Sequence, residues 1–302
     1  MPKISDTTKG LSGSELERLA LEGEGLGAYR QFWDRAAVVD SIHAISDQDD
    51  AESFEVSGHR EMDELAPLLP PGGGAALEIG CGTGRVMQHL APRCRALHGI
   101  DISAEMVEQG RRRLAHLRNV SFHVGNGYDL APFGDESFDL VYSLFAFQHM
   151  PKTTAYNYFT ESRRVLRPNG VLRFQVPNIL RDDHFNAFHH FTQPYFVEHP
   201  YPMNYYTPSE VVLMLARAGF RVEDLSDGMA VVARKADDVT ADVAIRERVA
   251  RFEHPRLMAE REAQLAGTVA RLAEANAEIE RYRRRIAVRA ANTLRHPLRR
   301  SR

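Results

Sequence analysis

The chain reads as a doubly wound α/β protein, and three observations carry that reading. From about residue 75 to residue 218, apolar runs of strand length alternate with amphipathic stretches of helix length. The first run breaks into a glycine-rich turn in LEIGCGTGR, residues 77–85. Segments with helical periodicity flank the alternating region on both sides.

At 302 residues, 43% of them hydrophobic, the chain can bury one full core and still carry appended elements. Its net charge of −3 hides an asymmetry, because from Arg281 onward there are nine arginines and no acidic residue. Cys81 and Cys94 are the two cysteines and offer no disulfide framework, as in a reducing compartment. The opening MPKISDTTKG lacks the apolar core of a secretion signal, and no run has the length of a membrane span. A cytoplasmic protein is expected, with a tail able to lie against the inner face of a membrane.

Residues 1–13 are polar and expected to be disordered, and residues 14–64 form an N-terminal helical segment. It starts with a helix over SELERLALEG capped near Ser14. A second helix, AYRQFWDRAAVVDSIHAI, places Phe32, Ala36, Val39 and Ile42 on one face. Trp33, the single tryptophan, is a core anchor or a ligand contact. An acidic loop, SDQDDAES, then leads to a helix over GHREMDELAPLL, stopped by Pro70, Pro71 and three glycines.

The main domain is placed at residues 65–236. Its first strand ends in Gly80, Gly82 and Gly84, which turn the backbone tightly and leave N–H groups facing a ligand at a helix start. GRVMQHLAP reads as a helix, RALHGIDI as a strand, and SAEMVEQGRRRLAHL as a helix capped by Ser103 with Glu105 in its first turn. NVSFHVG and SFDLVYSLFAF are strands, TTAYNYFTESRRVL a helix, and VLRFQV a fifth strand after a PNG turn. TPSEVVLMLARA is a capped helix ending at Gly219, and two strands near 220–225 and 229–234 close the sheet as an antiparallel pair.

Between the fifth strand and that last helix, residues 178–206 read as a long loop dense in aromatics and histidines, a lid or substrate wall. His184, His189, His190, Tyr195, Tyr205 and Tyr206 are its candidate substrate residues, against a plainer reading as surface or packing groups. Asp182, Asp183 and His184 are read as solvated side chains, and no metal is expected.

Residues 237–254 form a linker. In 255–292, Met258, Leu265, Leu272, Ile279 and Ile286 recur every seven residues, the repeat of a coiled coil and hence of a homo-oligomer. A solitary helix folded on its own domain is the alternative. The basic tail at 293–302 continues the arginine-rich run, which suits an anionic lipid surface or a solvated terminus.

A glycine-rich turn after a strand is compatible with dinucleotide binding, but the small residue needed at its sixth position is Arg85 here, which argues against NAD or FAD. Asp101, at the end of the second strand, keeps the spacing of a ribose contact. LEIGCGTGR, HGIDIS, GNGYDLAPFGDESFDLVYSLFAFQHM and RVLRPNGVLRF, in that order, resemble the class I S-adenosylmethionine-dependent methyltransferases of the small-molecule, type 11-like group. The resemblance spans roughly residues 60–235 and implies a seven-stranded Rossmann-like sheet with S-adenosylmethionine as cofactor.

It further implies that Glu78, Gly80, Cys81 and Gly82 line the methionine portion, that Asp101 accepts from both ribose hydroxyls and that Ile102 lies against the adenine. Asn126 stands where the family often has an aspartate facing the adenine amino group, with Gly127 beside it, while Ser143 and Leu144 offer carbonyls to the cofactor's ammonium. His149 is the candidate general base, the alternative being that it only shapes the pocket.

A methyltransferase domain followed by a coiled coil and ANTLRHPLRR resembles enzymes that build bacterial surface polysaccharides. That favours a saccharide hydroxyl as acceptor. Other small molecules, such as a polyketide, phenol or quinone precursor, are the alternative, and a non-catalytic coiled-coil scaffold is the reading from another class. Nucleic acid is disfavoured, because the domain has neither a basic stripe nor an NPPY-type tetrapeptide for a flipped base.

Overall fold

The computed structural model describes residues 26–45, 51–190, 203–237 and 243–255, then 258–259, 262–274, 276–277 and 280–281. The helix expected from Ser14, lid residues 191–202 and the basic tail lie outside the described residues. The chain divides into two compact units, residues 1–252 and residues 253–302.

In the first unit a seven-stranded sheet runs in the order β3-β2-β1-β4-β5-β7-β6. The strands are β1 (Ala75–Ile79), β2 (Ala96–Asp101), β3 (Val120–Val124), β4 (Phe138–Ser143), β5 (Leu166–Gln175), β6 (Phe220–Leu225) and β7 (Ala230–Lys235). The first five are parallel, and β7 lies antiparallel between β5 and β6. The helices are α1 (Leu26–Ile45), α2 (Ala51–Leu65), α3 (Met87–Leu90), α4 (Ala104–Arg113), α5 (Lys152–Val165), α6 (Asp182–His190), α7 (Pro208–Arg217) and α8 (Val243–Glu253). This is the seven-stranded Rossmann-like architecture that the sequence predicts.

Parallel strands are buried on both faces, which is why AALEI of β1 has no exposed position. One face carries Leu77, Ile79, Val141 and Phe174 against Phe159 of α5 and Leu215 of α7. The other carries Ala76, Leu97, Leu140 and Val171 against Leu65 of α2 and Met87 and Leu90 of α3. Each fully buried side chain of this size contributes about 1.5–3 kcal/mol. The caps at Ser103 and Thr207 form as expected, their hydroxyls accepting from the N–H of Met106 and Glu210.

Five elements differ from their sequence patterns. The stretch 237–254, expected as a linker, contains α8, whose Ile245 is buried in the core. α2 begins at Ala51, well before Gly58, because Phe54 and Ser57 already face the core. Gly58 is interior, where a Cβ would stand 2.7 Å from the Arg85 carbonyl oxygen. α3 is one turn long, since Gly82 and Gly84 hold positive φ values of 50° and 81° and delay helical backbone to Met87. β5 starts at Leu166 instead of after the PNG turn, pairing first with Phe138 across an irregular register. The lid is not a continuous loop. Its first part is α6, with Asp182 and Asp183 in the first turn, where carboxylates favour helix.

Candidate active site

The order β2-β1-β4 makes the chain reverse direction across the sheet beside β1, and crevices at such a point, outside the carboxyl ends of the strands, take ligands. Gly80 opens the turn there with φ of 70°, and its N–H donates to the Ile100 carbonyl at 2.8 Å. A Cβ on Gly80 would overlap the methyl of Ala146. The N–H of Gly82 donates to Asp101 Oδ2 at 2.8 Å, and that of Ser103 to Asp101 Oδ1 at 2.9 Å. Burial raises the Asp101 pKa while those N–H groups hold it down.

Behind the turn lies a buried polar group. Tyr142 donates its hydroxyl to Glu78 Oε2 at 2.9 Å, and burial pushes the Glu78 carboxyl up to about 8 despite that bond and the nearby Arg85 cation. Arg85 is itself buried, donates to Ser57 Oγ at 2.9 Å and lies over the Phe145 ring. The residue that argues against a dinucleotide fingerprint therefore packs α2 onto the turn. Cys81 is buried, its thiol donating to the Gly82 carbonyl at 3.6 Å and held protonated by burial.

The remaining donor-side candidates converge on this crevice. Ile102 is half-buried beside Asp101. Ser143 donates to the Ile79 carbonyl at 2.9 Å, and Leu144 is buried next to it. At the end of β3, Asn126 folds back on its own loop: its Oδ1 accepts from the N–H of Tyr128 and Asp129, and its Nδ2 donates to Asp129 Oδ1 at 2.8 Å. Both lone pairs of that oxygen are thus taken within the loop, which positions Gly127 at φ of 81°.

His149 follows β4 in a short helical turn, Phe147–His149. Its Nε2 stands 3.2 Å from Gln148 Nε2, and Trp33 of α1 meets its ring edge-on at 5.4 Å between centroids. Burial draws its pKa down to about 4, so the ring is neutral near pH 7. Trp33 is thus a neighbour of the proposed catalytic group.

The lid candidates scatter. His184 Nδ1 accepts from the N–H of Asn178 at 2.9 Å and clamps the start of the lid. Tyr206 is buried in the core beneath Lys152, whose ammonium sits 4.7 Å from the ring centroid. Tyr205 is buried against Phe188 of α6, and His189 is exposed on that helix. The side chain of His190 and the whole of Tyr195 lie outside the described residues. Asn204, absent from the sequence-predicted set, ties the lid's return to the site by donating its backbone N–H to the Gln148 carbonyl at 2.6 Å and Nδ2 to the Met150 carbonyl at 2.7 Å. Nothing local marks it, because both partners are more than fifty positions away.

Residues 76–170 match the family model described as "Methyltransferase domain". Among similar proteins, the demethylmenaquinone methyltransferase of Tropheryma whipplei (strain Twist) is 32% identical over 120 residues, which is 40% of this chain and 48% of that protein. The 27-O-demethylrifamycin SV methyltransferase of Amycolatopsis mediterranei (strain S699) is 32% identical over 156 residues, 50% of this chain and 56% of that one. The chain thus spans about half the length of these curated relatives. In fold it is similar to the geranyl diphosphate C-methyltransferase of Streptomyces coelicolor A3(2), with a TM-score of 0.50 at 16% identity, covering 68% of this chain and 97% of that one. Residues 76–170 are thus similar to a methyltransferase domain, and the sheet around them has a Rossmann-like fold.

Proposed function

We propose that the chain is an S-adenosylmethionine-dependent methyltransferase acting on a hydroxyl of a small molecule. The observation that carries the donor is Asp101. A carboxylate has about four acceptor positions, and the N–H groups of Gly82 and Ser103 take one on each oxygen, so each keeps acceptor capacity for a ribose hydroxyl. The turn fits the same donor, since Gly80 has no room for a side chain where a ligand must approach the backbone. In this reading Glu78, Gly80, Cys81, Gly82, Ser143 and Leu144 surround the methionine portion, with Ile102, Asn126 and Gly127 at the adenine end. When bound, the donor supplies an electrophilic methyl on a sulfonium, and the chain supplies alignment and a dry cleft.

His149 then accepts the proton of the acceptor hydroxyl. A base with a pKa of about 4 is too weak to ionise an alcohol beforehand, but it suffices for the acidic oxonium formed as the O–C bond closes. The pH profile of kcat/KM should therefore be flat around neutrality and fall only as the ring protonates near pH 4, and His149→Ala should lower kcat about 100-fold with donor affinity kept. Near-normal turnover in that variant would end this role.

For the acceptor, a saccharide ring is the finer reading, supported by the exposed ring of Phe188 on α6, which packs edge-on against buried Tyr205. A planar quinone or polyketide acceptor is the second reading, favoured by the names of the curated relatives. Transfer of labelled methyl from S-adenosylmethionine into fractionated cell extract, with mass spectrometry of the product, decides between them.

Residues 255–292 are proposed to self-associate. Within the second unit Leu265, Val269 and Leu272 form one apolar stripe at helical spacing and are 64%, 64% and 60% exposed. Ile279 and Ile286, which would extend it, lie outside the described residues. Truncation before residue 255 should yield a monomer that still binds S-adenosylhomocysteine, while an unchanged oligomer would refute the coiled coil. Attachment of the tail to an anionic inner membrane face stays part of the proposal; among the described residues no helix is long and apolar enough to cross a membrane.

A further inference from the structure

α1 lies outside the matched domain, yet its successive turns touch the segments that follow β2, β3 and β4. Arg30, Trp33, Asp34 and Ala37 recur at the spacing of one helix face. Arg30 Nη2 donates to the Gly125 carbonyl at 3.1 Å, just past β3. Trp33 meets the His149 ring beyond β4. The Ala37 carbonyl accepts from Gln109 Nε2 of α4 at 3.0 Å, which anchors the helix.

Asp34 makes the contact with most consequence. Its Oδ1 accepts from the Ser103 hydroxyl at 2.6 Å and from the N–H of Glu105 at 3.3 Å. Ser103 is fully buried, and its Oγ accepts in turn from the N–H of Met106 at 3.1 Å. That hydroxyl therefore has its donor and an acceptor lone pair both assigned, and Ser103 cannot rotate without losing one. The N–H of the same Ser103 donates to Asp101 Oδ1, and Asp101 Oδ2 receives the N–H of Gly82. A continuous relay thus runs from Asp34 through Ser103 and Asp101 into the glycine turn.

We infer that α1 is a clasp over the donor pocket and that Asp34 is a positioning residue, acting through Ser103 to hold the Asp101 carboxylate against the glycine turn. Without Asp34 a buried hydroxyl proton has no acceptor, a loss large enough to make Ser103 shift. Ser103 then loosens its hold on Asp101. An asparagine at position 34 still presents an amide oxygen to Ser103 and Glu105, so it should largely preserve the relay. The inference rests on the donor assignment proposed above for its effect on binding, but the relay itself can be read in the ligand-free protein.

The test compares Asp34→Ala, Asp34→Asn and Gln109→Ala, the last removing an anchor of α1 outside the relay. Amide hydrogen exchange by NMR, without ligand, should speed up about tenfold or more at Gly82 and Ser103 in Asp34→Ala and stay within about threefold of the parent in the other two. Calorimetry with S-adenosylhomocysteine should follow the same order, with about tenfold weaker affinity in Asp34→Ala alone. Unchanged exchange in Asp34→Ala, or equal effects in Asp34→Asn or Gln109→Ala, overturns the relay and leaves α1 as mere packing. A parent protein that binds no S-adenosylhomocysteine overturns the donor assignment instead, with the exchange data still deciding the relay.

Discussion

Asp101→Ala is expected to lower affinity for S-adenosylhomocysteine at least 100-fold. The substitution removes the acceptors proposed for two ribose hydroxyls, and hydrogen bonds to a charged group contribute about 1.5–3 kcal/mol each. It also strands the N–H groups of Gly82 and Ser103, so the turn loses the carboxylate that organises it. Asp101→Asn should fall between the two, because an amide keeps one oxygen of the pair. Isothermal calorimetry at fixed salt is the measurement, and affinity within tenfold of the parent in Asp101→Ala would remove the ribose from this end of β2.

Gly80→Ala should have the largest effect on stability. The residue sits at φ of 70°, a conformation that costs other L-residues about 1–2 kcal/mol. Its new methyl would also overlap that of Ala146, and such overpacking adds about 1–3 kcal/mol. Together these should lower the melting temperature by roughly 10 °C for a unit of this size. Combining Gly80→Ala with Ala146→Gly separates the two causes, because it relieves the overlap and leaves the backbone strain. Recovery of about half the loss is expected. Full recovery would mean that the backbone carries no strain there, and no loss in the single variant would mean that the turn is looser than its geometry indicates.

The parts of this fold that can be read from the sequence are those whose cause is local. Ser103 and Thr207 announce helix starts because the cap bonds three residues ahead. The β1 strand and glycine turn announce themselves because a strand buried on both faces must be apolar throughout and a left-handed turn needs glycine. Gly58 misleads for the opposite reason: in α2 it suits the nearness of the Arg85 carbonyl and does not mark where the helix starts. α6 is obscured by its aromatics, which read as a platform for a ligand, whereas two carboxylates in the first turn favour a helix.

In the site the same division holds. Asp101 is legible because its spacing from the glycine turn is a property of one strand and one crossover. The Tyr142–Glu78 bond and the Asp34–Ser103 bond are not, because each joins residues more than sixty positions apart and depends on how the layers stack. The sequence spacing of His184 permits a ligand contact equally well as the clamp on Asn178 that forms.

The order of the sheet has one more consequence. The strands proposed to hold the donor, β1, β2 and β4, are contiguous and central, and each is hydrogen-bonded on both sides. The helix that carries the candidate acceptor residues, α6, belongs to neither the sheet nor the matched domain. A molecule so divided can inherit its donor chemistry as a fixed block while its flanks diverge. Replacing a flank exchanges one acceptor for another without reopening the core, so kinship in the block is a guide to the methyl donor and a poor guide to what receives it.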